Sequence, residues 1–384
     1  MTGALHYCET ISDPETSDTL AAWRAEHGEM GLLALVSEAD RERDVPAIQE
    51  LCNRLNIPVI GAVFPAMISE ARFTKRGSLL VRFDRMPFAG LYHPLKPSDP
   101  AGDACRERMT ADIDRRLGPA RDSALFLIFD QMVANIATVL DDLYVSLADR
   151  VRYMGVNAGS ETFKPIPCLF DNKQIAQDGV LAVLLDDHPG AAVEHCYEAP
   201  ERLISATATE GNRIISIDWR PAFEVYQETV QAEYGVAINR ENFYQYAVHF
   251  PFGIVRAGNE IVVRIPVALQ PDGSLFCVGE IPPNAVLTLL RAPEVDSVRT
   301  VDTLTRSLQS LSGDVTNADV LTFYCAGRKI HLGERAEWEV AELGKRTGAH
   351  IAGALSLGEI GHSLQWGYPL FHNGALLCCR WDRR

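Results

Sequence analysis

The chain has 384 residues, 47% of them hydrophobic and 23% charged, with a formal net charge of −15. That is enough for two domains or one large core in an ordinary globular composition. The acidic balance and the lack of any basic run argue against nucleic acid or an anionic membrane surface as the main partner.

No apolar stretch approaches the roughly 18 residues of a membrane span. The N-terminus lacks the basic start and apolar core of a secretory signal. A cytoplasmic protein is expected. The nine cysteines are scattered, odd in number and without a C-x-x-C pair, which fits reduced, mostly buried thiols.

In chain order, residues 18–26 read as a helix capped by Ser17 or Asp18. Residues 31–36 read as a buried strand, followed by a helix opened by Asp44 and Pro46 that runs to residue 55, then a second buried strand at 57–63. The pattern returns at 124–129, 133–147 and 151–156, and again at 320–325, 333–346 and 350–355. Each unit is strand, helix, strand, so β-α-β crossovers with parallel neighbours are expected. The irregular spacing points to related half-domains, not a solenoid.

Between the units, residues 77–83 read as an alternating strand, 86–100 as a proline-punctuated loop and 103–117 as a solvated charged helix. Residues 167–217 read as β structure, followed by a helix at 220–234 opened by Pro221. Strands then follow at 248–256, 261–265, 275–278 and 286–290, and a helix at 294–311. The expected fold is α/β: two related α/β halves with β-α-β crossovers, mixed sheets and a β-rich central region. The last strand pair, 351–355 and 374–379, brackets the turn Ser356-Leu357-Gly358 and the carboxylate of Glu359. Open α/β sheets bind ligands at such strand mouths.

No G-x-x-x-x-G-K-S/T loop, post-strand G-x-G-x-x-G, G-x-S-x-G or H-E-x-x-H is present. No nucleophile and base can be named, so an enzyme is not expected. Glu359, aided by Ser356 and Arg328, is the first ligand-binding candidate. The bland alternative is a turn carboxylate capping backbone amides. Arg328 and Glu359 would pair opposite charges with a zwitterionic metabolite such as an amino acid. His362 and His372 frame the same loop. His249 lies in the uncharged aromatic stretch Tyr246-Ala-Val-His249-Phe250-Pro251, surroundings that suit a haem-iron ligand. The alternative there is a core histidine bonded to a carbonyl. His93, between Tyr92 and Pro94, is a second haem candidate.

Several short motifs then become recognisable together. Cys325-Ala-Gly-Arg328, Gly333-Glu334, the run from Gly353 through Gly358-Glu359-Ile360-Gly361, and Phe371-His372-Asn373 resemble the C-terminal half of FIST-domain proteins. Ile57-Pro58-Val59-Ile60-Gly61, Phe64-Pro65 and the stretch from Tyr153 to Ser160 resemble the FIST N module. The resemblance covers nearly the whole chain, with an N-like module at 18–215 and a C-like module at 216–381. It implies a prokaryotic, non-enzymatic sensory protein that binds a small ligand and works with a histidine kinase or a cyclic-di-GMP enzyme. One stand-alone branch of the family implies more: haem b held by a histidine and nitric oxide as the signal. A homodimer is compatible with this reading. Where many N modules carry Gly-Glu-Ile, this chain has Ala66-Met67-Ile68, so no ligand carboxylate is expected there and Glu359 stands alone.

Overall fold

A computed structural model describes residues 3–97, 99–118, 122–256, 258, 260–290, 296–361 and 367–381. All three β-α-β units form as the sequence implies. Gly31–Ser37 pairs in parallel with Val59–Phe64, Ser123–Asp130 with Val151–Ala158, and Asp319–Cys325 with His350–Ser356. Each pair is the heart of its own six-stranded sheet. In each unit a glycine of the second strand lies against the first strand. A Cβ on Gly61, Gly155 or Gly353 would come within 2.5, 2.2 or 1.7 Å of the carbonyl oxygen of Ala34, Leu127 or Thr322.

The three sheets share one core. Phe64, Phe126 and Phe323 come one from each sheet; Phe323 stacks on Phe64 at 5.6 Å and on Phe126 at 6.0 Å. Helices cover the outer faces, and the long aliphatic strands, apolar on both sides, need that cover. Arg41–Leu55 packs Ile48, Leu51 and Cys52 on the first sheet, Ile136–Leu147 packs Val139, Leu140 and Leu143 on the second, and Arg335–Thr347 packs Val340 and Leu343 on the third. Leu269, Leu275, Ile214, Ile204, Leu287, Ile254 and Val262 belong to a fourth, wholly antiparallel sheet closed by the helix Ala222–Tyr234.

The halves exchange strands. Met67–Ser69 and Arg72–Thr74, early in the chain, complete the sheet built around Asp319–Cys325. In return Glu359–Gly361 and Leu370–His372 extend the central sheet beside Val151–Ala158.

Several expected elements shift. The first helix is Pro14–Glu26, capped by Asp13, whose side chain accepts from the Glu15 N–H. The second starts at Arg41, so Pro46 lies inside it. Residues 86–100 contain the strand Phe88–Tyr92, which covers the edge left by Val180–Leu185. Ser78–Phe83 does not alternate in burial, because it sits between Leu5–Cys8 and Gly31–Ser37. The charged helix is Pro100–Asp114, and it buries Cys105, Met109 and Ile113. The single helix expected at 333–346 is preceded by a second one, Ala326–Leu332. Gly333, at φ +58°, separates the two. The strand expected at 248–256 shrinks to Phe252–Val255, and Ala247–His249 is a 3-10 turn. Among the described residues no helix is long and apolar enough to cross a membrane.

Candidate functional site

Asp319–Cys325 and His350–Ser356 both end at a cleft of about 200 Å³. Cys325, Ala326, Gly327 and Ile330 form one wall, and Ile265, Pro266, Val267 and Val278 of the antiparallel sheet form another. Tyr244, Ala247 and Val248 close one side, while Glu161 and Phe163 reach over from the loop after Val151–Ala158. Leu357 and Asn373 complete the lining. The cleft therefore lies at the C-terminal ends of parallel strands, where such sheets bind ligands. Its polar residues are few: Cys325, Asn373, Tyr244 and, as the one charged residue of the lining, Glu161, which pairs with Lys75 at 3.1 Å.

Behind this wall lies Glu359, fully buried. Ser356 Oγ donates to its Oε1 at 2.5 Å, the Ala375 N–H donates to its Oε2 at 3.2 Å, and the Cys325 thiol is a further partner. Burial pushes the carboxyl up to about 8 against those hydrogen bonds, so it is mostly protonated at neutral pH. Cys325 accepts the Gly374 N–H at 3.0 Å, and burial pushes its thiol up to about 12. It is a neutral thiol, not a nucleophile.

The alternative ligand set is thus gathered in one place, but not with the chemistry expected of it. Arg328 is wholly buried and spends its guanidinium inside the protein. Nε and Nη2 bind Glu339 at 2.9 and 2.7 Å, Nη1 binds the carbonyls of His195 and Gly374, and Nη2 also reaches Thr300 Oγ1. These five bonds match its five N–H donors, so none points to a ligand carboxylate. His372 is buried opposite Glu359 in the strand register, its ring 6.0 Å from that of His195. His362 lies outside the described residues.

The haem candidates separate. His93 lies at the end of the edge strand Phe88–Tyr92, over Gly179. Phe250 and Tyr246 pack in the core of the antiparallel sheet. The Phe250 ring stacks on Tyr234 at 4.9 Å, its carbonyl accepts the Tyr226 hydroxyl, and the Pro251 carbonyl accepts the Leu290 N–H. His249 is half-buried, and its Nδ1 lies 2.6 Å from Nδ1 of His331 on Ala326–Leu332. Its neighbours Ala247 and Val248 line the cleft while its ring turns to His331. The cleft is below the roughly 300 Å³ at which pockets for drug-sized ligands begin, so a porphyrin would have to lie outside it.

Sequence reasoning did not nominate Phe163, Tyr244, Ile330 or His331. Phe163 carries the clearest mark: a bulky residue at φ +54°, which still places an aromatic ring at the cleft rim. Such a conformation costs energy and clusters at functional sites. Of the lining, Cys325-Ala326-Gly327 at the end of a buried strand, Leu357 in the turn before Glu359, and Asn373 were visible in the sequence.

Comparison with known families gives two matches, the FIST N domain over residues 31–220 and the FIST C domain over residues 222–362. No curated protein matches the chain. Glu161 and Phe163 fall in the first domain, and most of the remaining lining, from Tyr244 to Leu357, falls in the second.

Proposed function

The chain carries both domains of the FIST family of signal-transduction sensory proteins, and we propose that it senses a small, largely apolar molecule held in the cleft between them. The observation that supports this reading is the lining itself: an apolar cleft with few polar groups, built from both domains. A molecule touching both can bias their packing by its differential affinity for the two arrangements. In this reading the role is binding and not catalysis. The output is a changed contact with a partner histidine kinase or cyclic-di-GMP enzyme in the cytoplasm.

The test is a thermal-shift ligand screen on wild type and on Ile330→Trp, which fills the mouth from an exposed position. A ligand of the cleft raises the wild-type Tm and loses that shift in the variant. An equal shift in both would place the ligand elsewhere.

Haem b with nitric oxide is the second reading, favoured by one observation. If His249 donates its Nδ1–H to His331, its Nε2 keeps a lone pair in a fixed orientation, as metal-bound histidines do. Haem there would supply an iron that binds a diatomic gas. An absorption spectrum after haem supply decides it: a Soret band that shifts with nitric oxide and is lost in His249→Ala supports haem. A spectrum with only the aromatic band removes it.

A further inference from the structure

We infer that Arg264 anchors a binding site for a small monovalent oxyanion, a carboxylate or nitrate, where the antiparallel sheet meets the central one. Arg264 ends the strand Ile261–Arg264 and is only 3% exposed. Its Nε donates to the Glu280 carbonyl at 3.0 Å, and its Nη1 donates to the carbonyls of Val263 at 3.0 Å and Phe371 at 2.6 Å. Among the described residues Nη2 has no hydrogen-bond partner, and no carboxylate pairs with the guanidinium.

A buried charge is costly unless an opposite charge accompanies it. Arg328 meets that demand in the same molecule, with Glu339 buried against it and every donor engaged. Arg264 has neutral carbonyls alone. They satisfy three N–H groups and leave the positive charge uncompensated. Burial pushes its pKa down to about 10, so the side chain still carries that charge at neutral pH.

Two charged neighbours leave the gap unfilled. Glu280 turns its carboxylate to the start of the helix Ile136–Leu147, where it accepts the Thr138 N–H at 3.0 Å and the Thr138 hydroxyl at 2.6 Å. Arg256, which stands 5.5 Å from the Tyr368 ring, adds a like charge.

The surroundings fix where an anion can bind. The Phe371 ring covers the guanidinium, its centroid 5.4 Å from the central carbon. Gly279, at φ +94°, presses on both: a Cβ there would come within 3.0 Å of Arg264 Nε and 2.8 Å of the ring. The Nη2 edge remains, and planar oxyanions bind guanidinium groups edge-on. Gly358 packs on the opposite edge of the same ring, and its carbonyl accepts the Asn157 N–H. Asn157 is 1% exposed, and among the described residues neither atom of its side-chain amide has a partner. A cation without a counter-charge and an amide without partners thus stand on either side of one ring.

Ile265, the next residue, lines the cleft, whereas successive side chains on a strand face opposite ways. The anion site is therefore separate from the cleft and does not rest on the cleft reading.

The test is a thermal-shift titration of the full chain in a bulky sulfonate buffer, with sodium acetate or sodium nitrate added at constant ionic strength. At least one of the two is expected to raise the wild-type Tm along a saturating curve, by about 2 °C at ten times its dissociation constant. Arg264→Gln is expected to lose that rise, and Ile330→Trp, which fills the cleft, to keep it. A response to acetate alone assigns the site to an organic acid; a response to nitrate admits the inorganic ion. No saturating rise in wild type overturns the site, as does an equal rise in Arg264→Gln. Loss of the rise in Ile330→Trp would put the anion in the cleft and also overturns it. Should Arg264→Gln fail to fold, wild-type crystals soaked in bromide decide. Anomalous density within hydrogen-bond distance of Arg264 Nη2 supports the site, and none there overturns it.

Discussion

Glu359 shows how one buried carboxyl carries its own pH signature. Its folded pKa of about 8 lies above the usual 4.5. Between those values the folded state holds a proton that the unfolded state has lost, so stability falls as pH rises from about 4.5 to 8 and then levels off. Up to about 5 kcal/mol is at stake across that window. Glu359→Gln removes the titration, and chemical denaturation at pH 5 and pH 8 should show a smaller difference for the variant than for wild type. Arg328 behaves differently because its counter-charge is buried with it. Arg328→Met leaves Glu339 uncompensated and is expected to cost about 3–5 kcal/mol. Adding Glu339→Leu should recover much of that loss in urea melts, and no recovery would mean that the pair is not the unit of stability. Phe163→Gly relieves the positive φ and should keep or raise Tm, while weakening any ligand of the cleft, as a paired thermal-shift measurement would read.

At the scale of elements, the glycine in each crossover is a demand of the paired strand. A methyl group on Gly353 would meet the Thr322 carbonyl at 1.7 Å, and backbone on both sides cannot move aside. Gly353→Ala is expected to cost about 3 kcal/mol or more, or to leave the protein insoluble; a Tm within a few degrees of wild type would contradict this. The same strand shows why the site lies where it does. His350–Ser356 delivers Ser356, Leu357 and Gly358 to the end of the sheet, and the chain then leaves to join a different sheet at Glu359. Burial of Glu359 follows from that departure, because its strand is clamped between Val151–Ala158 and Leu370–His372.

For the whole molecule, the exchange of strands makes the two family domains depend on each other. Residues 222–381 alone would lack Met67–Thr74, leaving the edge of His350–Ser356 open, and would expose Phe323 where Phe64 and Phe126 now pack. Expressed alone, that fragment is expected to aggregate or to lack a cooperative melt, and mixing it with residues 3–221 should not be needed for folding if this view is wrong. Scanning calorimetry of the full chain should likewise give one transition, since one core serves three sheets.

The sequence by itself determined the three crossovers and the α/β class, because long apolar strands, helical periodicity and glycines at fixed places are local signals, and its short motifs carry the resemblance to the FIST family that the domain matches support. It also marked Ser356 and Glu359 at the end of a strand. Only the tertiary structure decided what those residues can do. Arg328 reads as a free cation in the sequence and becomes spent because Glu339, Thr300 and two carbonyls from distant parts of the chain converge on it. Phe250, in the aromatic stretch around His249, belongs to the core, because Tyr226 and Tyr234 of another helix fill the space beside it. His331 acquires meaning only when a helix unseen in the sequence brings it to His249. Partners as far apart as His195 and Arg328, 133 residues, or His249 and His331, 82 residues, leave no local trace, and burial, which sets both charge and hydrogen bonding, is a property of the assembled chain.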